Sequence, residues 1–259
     1  MLTTPVSYPA DGTAMNTLRK SAANIRLGEY IADATAESIA RYGLDTPRLV
    51  IRLHQAAGTI GAVGTTGSYA TTDYPEATIT LVIGEQESDL VDYVLYDGGI
   101  YRCSTLLLRG VMNADWQETI TRYPVLTALG NLASLSRETA NGVDTWVITR
   151  TEQVAENNEL VTDDEGNQVY DITLMKNGES ADYTAFSAAY NQLMMVTMSG
   201  RLPDGWTAAD APHTVWTFTD VDGTVHTVAL TRYDAMHDAV AVDGVALFYL
   251  IQGGFSLGI

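Results

Sequence analysis

The stretch Thr214-Val-Trp-Thr-Phe-Thr-Asp-Val-Asp-Gly-Thr-Val-His-Thr-Val-Ala-Leu230 contains the pattern that dominates this chain. Trp216 and Phe218 alternate with threonine and valine, and Asp222-Gly223 then interrupts the alternation. A period of two with β-branched neighbours indicates a strand with one buried face. An Asp-Gly pair supplies the positive φ angles of a tight turn. The segment therefore predicts an antiparallel β-hairpin.

The same combination recurs along the sequence. Alternating stretches begin near Leu49, Thr78, Thr145 and Tyr170. Further Asn-Gly and Asp-Gly pairs stand beside most of these stretches, at Asp97-Gly98, Asn141-Gly142, Asn177-Gly178 and Asp243-Gly244. These features predict several antiparallel hairpins.

Apolar residues at helical spacing are fewer. Such stripes run through residues 15–27, 125–135 and 183–198, and a short helix is predicted over residues 35–41. In the second stripe, Val125, Leu126, Leu129, Leu132 and Leu135 would share one helix face. Each helix is expected to cover one face of a sheet.

An ordered set of matches predicts an internal repeat. A helical stretch, a proline-led strand and a second strand occur in both halves, followed by Asp92…Asp97-Gly98 in one half and Asp238…Asp243-Gly244 in the other. The predicted fold is α+β, with two related helix-plus-antiparallel-sheet units formed by duplication. The first unit covers residues 1–122 with an inserted loop at 58–75, and the second covers residues 123–259.

The composition excludes several classes of protein. The 259 residues include 14 Lys and Arg against 32 Asp and Glu, and the formal net charge is −18. This balance argues against binding to nucleic acid or anionic lipid. One cysteine excludes a disulfide framework and a multi-thiolate metal site. The acidity is typical of a solvated, self-repelling surface, with a cation-attracting face as the alternative.

Catalytic and metal-binding patterns are weak. His54, His213, His226 and His237 show none of the close spacings of a zinc site. Asp220-Val221-Asp222-Gly223 resembles part of a calcium loop, but a plain hairpin turn explains it, since the first and last ligands of that loop are missing. We therefore predict no metal and no cofactor.

Carboxylates and a thiol complete the candidates for chemistry. Asp89, Asp92 and the Glu85/Glu87 pair resemble a glycosidase dyad, although acids in an exposed hairpin are usually solvating. Cys103 is interpreted as a buried structural thiol rather than a nucleophile. No catalytic residue is therefore assigned.

Two features remain as candidates for interaction. The insert at residues 58–75 is longer than an ordinary hairpin loop, so it is either functional or mobile. Tyr69 and Tyr74 are its predicted contact residues. The chain also has 14 Tyr against 4 Phe, which fits half-buried packing at sheet edges or a binding face for protein or glycan.

Tyr42-Gly43-Leu44-Asp45-Thr46-Pro47 resembles the motif of a bacterial family called domain of unknown function 4340. The family places a small helix before this hexapeptide, then a strand, a loop, and an apolar strand ending in glycine, here Ile79 to Gly84. A hairpin with Tyr93-Val94, Asp97-Gly98 and Tyr101 follows. The resemblance covers roughly residues 6–111 and is diffuse beyond them.

The resemblance implies a location and a role. Members of this family resemble envelope proteins behind an N-terminal anchor, and some resemble auxiliary components of transport systems. We therefore expect an extracytoplasmic protein, membrane-anchored at full length, whose anchor is absent from this chain and which does not itself insert into the membrane. The expected role is non-enzymatic binding or scaffolding of envelope proteins or a transporter. The alternative is a carbohydrate-active or other hydrolase using dispersed carboxylates.

Overall fold

The structure is a computed structural model that describes residues 1–63, 69–155 and 160–258. The chain forms two compact units. The five-stranded unit comprises Gly12–Thr119, and the nine-stranded unit combines Met1–Asp11 with Ile120–Ile259.

The five-stranded unit is an antiparallel sheet with short helices. The strand order is β1-β7-β6-β5-β2, while β3 and β4 form a separate two-stranded sheet. The elements are α1 (Gly12–Ala23), β1 (Leu27–Asp33), α2 (Ala36–Arg41), β2 (Leu49–Gln55), β3 (Gly58–Val63), β4 (Tyr69–Tyr74), β5 (Ala77–Ser88), β6 (Val91–Tyr96), β7 (Gly99–Ser104) and α3 (Thr105–Met112).

One core cluster holds this unit together. Alternate residues of β2 and β5 point into it, because strand side chains alternate between faces. The buried members are Ile51, Leu81, Ile83, Val94, Cys103 and Leu108. Gly84 in β5 lies against the Tyr42-Gly43-Leu44 loop: the backbone N–H of Glu85 donates to the carbonyl of Tyr42 at 2.9 Å.

The nine-stranded unit is built around a larger antiparallel sheet. The strand order is β11-β10-β9-β8-β13-β14-β15-β16-β12. Its elements are β8 (Leu132–Thr139), β9 (Gly142–Glu152), β10 (Tyr170–Lys176), β11 (Glu179–Ala181), α4 (Tyr183–Met194), β12 (Gly200–Arg201), β13 (Thr214–Asp220), β14 (Val225–Arg232), β15 (His237–Val242) and β16 (Val245–Ile251).

Aromatic side chains fill the core of this unit. The rings of Trp146 and Trp216 stack with centroids 6.4 Å apart, and both side chains are buried. On α4, Phe186 lies 6.4 Å from Trp146 and Tyr190 lies 6.3 Å from Phe218, measured between ring centroids. The alternation of Trp216 and Phe218 thus marks a buried face, as the sequence predicts.

The predicted hairpin turns are confirmed. Asp97 and Gly98 both have positive φ angles, of 46° and 75°, and connect β6 to β7. Asp243 and Gly244, at 49° and 81°, connect β15 to β16 in the same way. Asp-Gly pairs therefore identified real chain reversals.

The predicted fold class is wrong. The structure is mostly β, with 46% strand and 18% helix, arranged in three antiparallel sheets with four α-helices in the described part of the chain. It is not a duplicated helix-plus-sheet unit, because one main sheet has five strands and the other nine. The helices are short, with 6 to 12 residues each, so strand pairing rather than helix packing organises both units.

The helix expected over residues 125–135 is also absent from the described structure. Leu129 begins a three-residue 3-10 helix, and Leu132 and Leu135 lie in β8. β8 pairs with β9 on one side and β13 on the other. A ladder of backbone hydrogen bonds on both edges outweighs the local helical spacing of the leucines.

Candidate functional site

The sequence insert forms a two-stranded β-ribbon, which we call the arm (Gly58–Val63 with Tyr69–Tyr74). Gln55 of β2 faces Ala77 of β5, and three residues further along each strand Gly58 faces Tyr74. The pairing register is therefore unchanged, and the arm extends the β2–β5 pair. None of the arm residues with a described side chain belongs to the core cluster of the unit.

Contacts between its two strands stiffen the base of the arm. A Cβ atom on Gly58 would lie 2.5 Å from the hydroxyl oxygen of Tyr74, so this tyrosine covers the glycine. The hydroxyl of Thr59 donates to a carboxylate oxygen of Asp73 at 2.6 Å. Of the two predicted contact residues, Tyr74 is thus partly buried in a cross-strand contact, and the side chain of Tyr69 lies outside the described residues.

The arm has little charge and open edges. No ionisable side chain occurs from Gln55 to Ser68, and Asp73 is the one charged residue in residues 58–74. Within the described residues, β3 pairs with β4 and with no other strand. Its outward backbone N–H and C=O groups are therefore available to another strand.

Sequence reasoning found this segment but interpreted it as a loop. The structure adds that β3 and β4 pair with no other described strand, while the contact roles of Tyr69 and Tyr74 stay predictions. A signal was present in the β-branched residues Thr59, Ile60 and Val63, which favour a strand. The four glycines at positions 58–67 obscured it.

The four histidines are not brought together. His54 lies 3.7 Å from Glu76, and His213 lies 3.2 Å from the buried Asp238. His226 pairs with Asp243, and His237 with Asp234, each at 2.9 Å. Across the described ranges, no group of three or more His, Cys, Asp or Glu side chains is placed to hold a metal ion.

The acidic residues proposed as a dyad have separate roles. Asp92 is fully buried and forms an ion pair with Arg48. Glu87 is held by Arg102, whose hydrogen bond lowers the pKa of that carboxyl. The side chain of Glu85 packs over Gly43. Asp92, Glu87 and Glu85 thus contact different partners, and these contacts do not pair the acids with one another.

The calcium-like segment is a turn. The carboxylate of Asp222 accepts the backbone N–H of Thr224 at 2.8 Å, and this contact lowers the pKa of Asp222. Gly223 has a φ angle of 87°. The segment therefore forms the hairpin turn between β13 and β14.

Two clefts are polar but lack an acid–base pair. One, of about 470 Å³, lies at the β8–β9 turn beside Arg137 and Asp144. Hydrogen bonds from Asn177 and Arg137 lower the pKa of the Asp144 carboxyl. The other, of about 440 Å³, lies along α3 and includes Asp89 and Arg109. A carboxyl that must donate a proton needs a raised pKa. Every pKa shift that is resolved for a carboxyl of the described residues is downward.

Cys103 is a protected thiol. Its side chain is 2% exposed, and burial, assisted by the nearby charge of Asp92, raises its pKa to about 11. The thiolate, which is the nucleophile, is scarce at neutral pH. The structure therefore agrees with a structural role.

We expect Cys103 to resist N-ethylmaleimide at pH 7.5 in the folded protein and to react fully in denaturing urea. A control variant, Cys103→Ala with Ser104→Cys, moves the thiol to an exposed neighbouring position and should react rapidly in the folded state. The measurement is the rate of mass increase by mass spectrometry. Equal rates for native Cys103 and the control would contradict a buried thiol.

The sequence profile of the family described as "Domain of unknown function (DUF4340)" matches residues 1–214. The chain belongs to this family. The resemblance at Tyr42-Gly43-Leu44-Asp45 is thus confirmed, and the region that matches DUF4340 includes the arm and most strands of both sheets.

Other comparisons found no further relatives. Neither the curated proteins nor the solved structures include a significant match to this DUF4340 chain. In addition, none of its described helices is long and apolar enough to cross a membrane.

Proposed function

We propose that this DUF4340 protein is a non-enzymatic module of the bacterial cell envelope that binds other proteins through its arm. The observation that carries the proposal is the nearly uncharged β-ribbon, whose strands β3 and β4 pair with each other and with no other described strand, attached to an acidic chain. An open edge can accept an extended segment of a partner as an additional strand. In such complexes, backbone hydrogen bonds supply the affinity.

The location and the class of partner rest on the family resemblance. We place the full-length protein outside the cytoplasm and anchored at the membrane, with other envelope proteins or a transporter as partners. The net charge of −18 supports protein partners over nucleic acid, because a polyanion would be repelled.

A hydrolase has less support. Retaining and inverting glycosidases need two facing carboxyl groups, one of them with a raised pKa. Asp33 and Glu37 share a cleft of about 250 Å³, but Asp33 is engaged by the hydroxyl of Tyr30 at 2.7 Å. No observation favours this class over binding.

Deletion of residues 58–74 should remove partner binding and leave the fold intact. Ala56, Ala57, Pro75 and Glu76 would then form a four-residue connection between β2 and β5. Because the core cluster contains none of the arm side chains that the structure describes, the melting temperature should change by no more than about 3 °C. Thermal unfolding followed by circular dichroism measures this.

Photo-crosslinking in the native envelope tests the binding itself. A benzoylphenylalanine at Thr71, an exposed position of the arm, should yield specific crosslinks to another protein, whereas the same probe at Glu165, in an exposed turn, should not. Equal crosslinking from both sites, or none from Thr71, would contradict the proposal.

A further inference from the structure

We propose that the β3 edge also pairs with the β3 edge of a second copy of this chain, joining two arms into a four-stranded antiparallel sheet. This inference rests on the proposed function, in which the arm makes the contacts. It names a second copy of the chain as the partner of the β3 edge. A two-fold axis between Ile60 and Gly61 would relate the copies, as in most homodimers.

The first argument is the contrast between β3 and the other sheet edges. Proteins protect edge strands with charges, irregular register or shortness. β1 has two register shifts and carries Glu29 and Asp33. β11 and β12 are only three and two residues long. β2, the other edge of the five-stranded sheet, carries Arg52 and His54.

β3 has none of these protections. It is six residues long, contains no charged residue and no proline, and pairs with β4 without a register shift. β4 is less suited to self-pairing because it carries Asp73 and is followed by Pro75. Among the sheet edges in the described ranges, the β3 edge is therefore the one left open to strand pairing.

The second argument is the stability of the arm. A two-stranded ribbon alone is marginally stable in water, whereas sheets of three or more strands are more stable. Pairing two arms through β3 produces four strands and satisfies backbone groups that otherwise rely on water. Each arm thus supplies the strand pairing that the β3 edge of the other arm lacks.

The third argument is electrostatic. Two copies, each with a net charge of −18, repel one another over most of their surfaces. The uncharged stretch from Gln55 to Thr72 is a region where two copies can approach without direct like-charge contact. Salt should therefore strengthen the dimer, because it screens the repulsion between the remaining surfaces.

Sedimentation velocity of the whole chain, from 1 to 200 µM, tests the inference. We expect a concentration-dependent dimer that becomes tighter between 20 and 500 mM NaCl. Deletion of residues 58–74 should give a monomer throughout. A wild-type chain that stays monomeric, a deletion variant that still dimerises, or a dimer weakened by salt would overturn the inference.

Two matched lysine substitutions distinguish the edges. Gly61→Lys places like charges at the two-fold axis, while Thr71→Lys places the same charge on the cross-strand neighbour in β4. Gly61→Lys should raise the dissociation constant at least tenfold, and Thr71→Lys should change it by less than threefold. Circular dichroism checks that both variants are folded. Equal weakening by both would overturn pairing through β3.

The outcome is separable from that of the proposed function. A monomeric chain whose arm still crosslinks to another envelope protein would refute the homodimer and leave the binding function standing. An arm-dependent dimer without crosslinks to any other protein would refute the binding of other proteins and leave the homodimer standing.

Discussion

Replacing Gly84 by alanine is expected to destabilise the five-stranded unit by about 3 kcal/mol or more. A Cβ atom at this position would lie 2.3 Å from the carbonyl oxygen of Tyr42, well inside van der Waals contact. The carbonyl cannot move away freely, because it accepts the backbone N–H of Glu85 at 2.9 Å. Relief of the clash would break this contact between β5 and the loop that begins the family motif.

Urea denaturation measures the free energy of unfolding of this variant. Gly12→Ala is the matched control in the same unit, since a Cβ atom there has no neighbour within 4 Å. This control should change stability by less than about 0.5 kcal/mol. If Gly84→Ala is no less stable than Gly12→Ala, the close approach of Tyr42 is not a packing constraint.

Replacing Arg48 by methionine should cost about 3 to 5 kcal/mol. The Asp92 side chain is 0% exposed, and Arg48 forms the ion pair that compensates its charge. Arg48 also donates through Nε to the carbonyl of Gly84 at 2.6 Å. Methionine has similar bulk but no charge, so the Asp92 carboxylate would be left buried without a cation.

Two further variants isolate the electrostatic cause. Arg48→Met combined with Asp92→Leu removes both charges and should recover much of the lost stability, because a buried ion pair can be replaced by apolar side chains. Arg102→Met removes exposed ion pairs to Glu29 and Glu87 and should cost no more than about 1 kcal/mol. Equal losses from Arg48→Met and Arg102→Met in urea denaturation would rule out a buried-charge penalty.

Local sequence patterns predict the hairpin turns better than they predict which segments are helices and which are paired strands. Asp97-Gly98 and Asp243-Gly244 are hairpin turns because a positive φ angle is a property of a few neighbouring residues. Leu132 and Leu135 were assigned to a helix because spacing alone does not reveal partner strands. β9 and β13 on either side of β8 decide that conformation.

The arm also combines features that are visible in the sequence with features that depend on long-range strand pairing. The length of the insert at 58–75 and its richness in Gly, Ala and Thr are visible in the sequence. That it continues the register of the β2–β5 pair, and leaves an edge of β3 open, depends on pairing between residues far apart in the chain. The packing of Tyr74 over Gly58 is a cross-strand contact and also depends on this pairing.

The sequence by itself determined the antiparallel hairpins, the acidic surface, the family and the position of the unusual insert. These are properties of residue type and of short-range spacing. Only the tertiary structure decided that the chain is mostly β, which strands lie at the sheet edges, and that Asp92 is neutralised by Arg48. The physical reason is that backbone pairing and burial depend on which distant segments meet, and local propensity does not specify this.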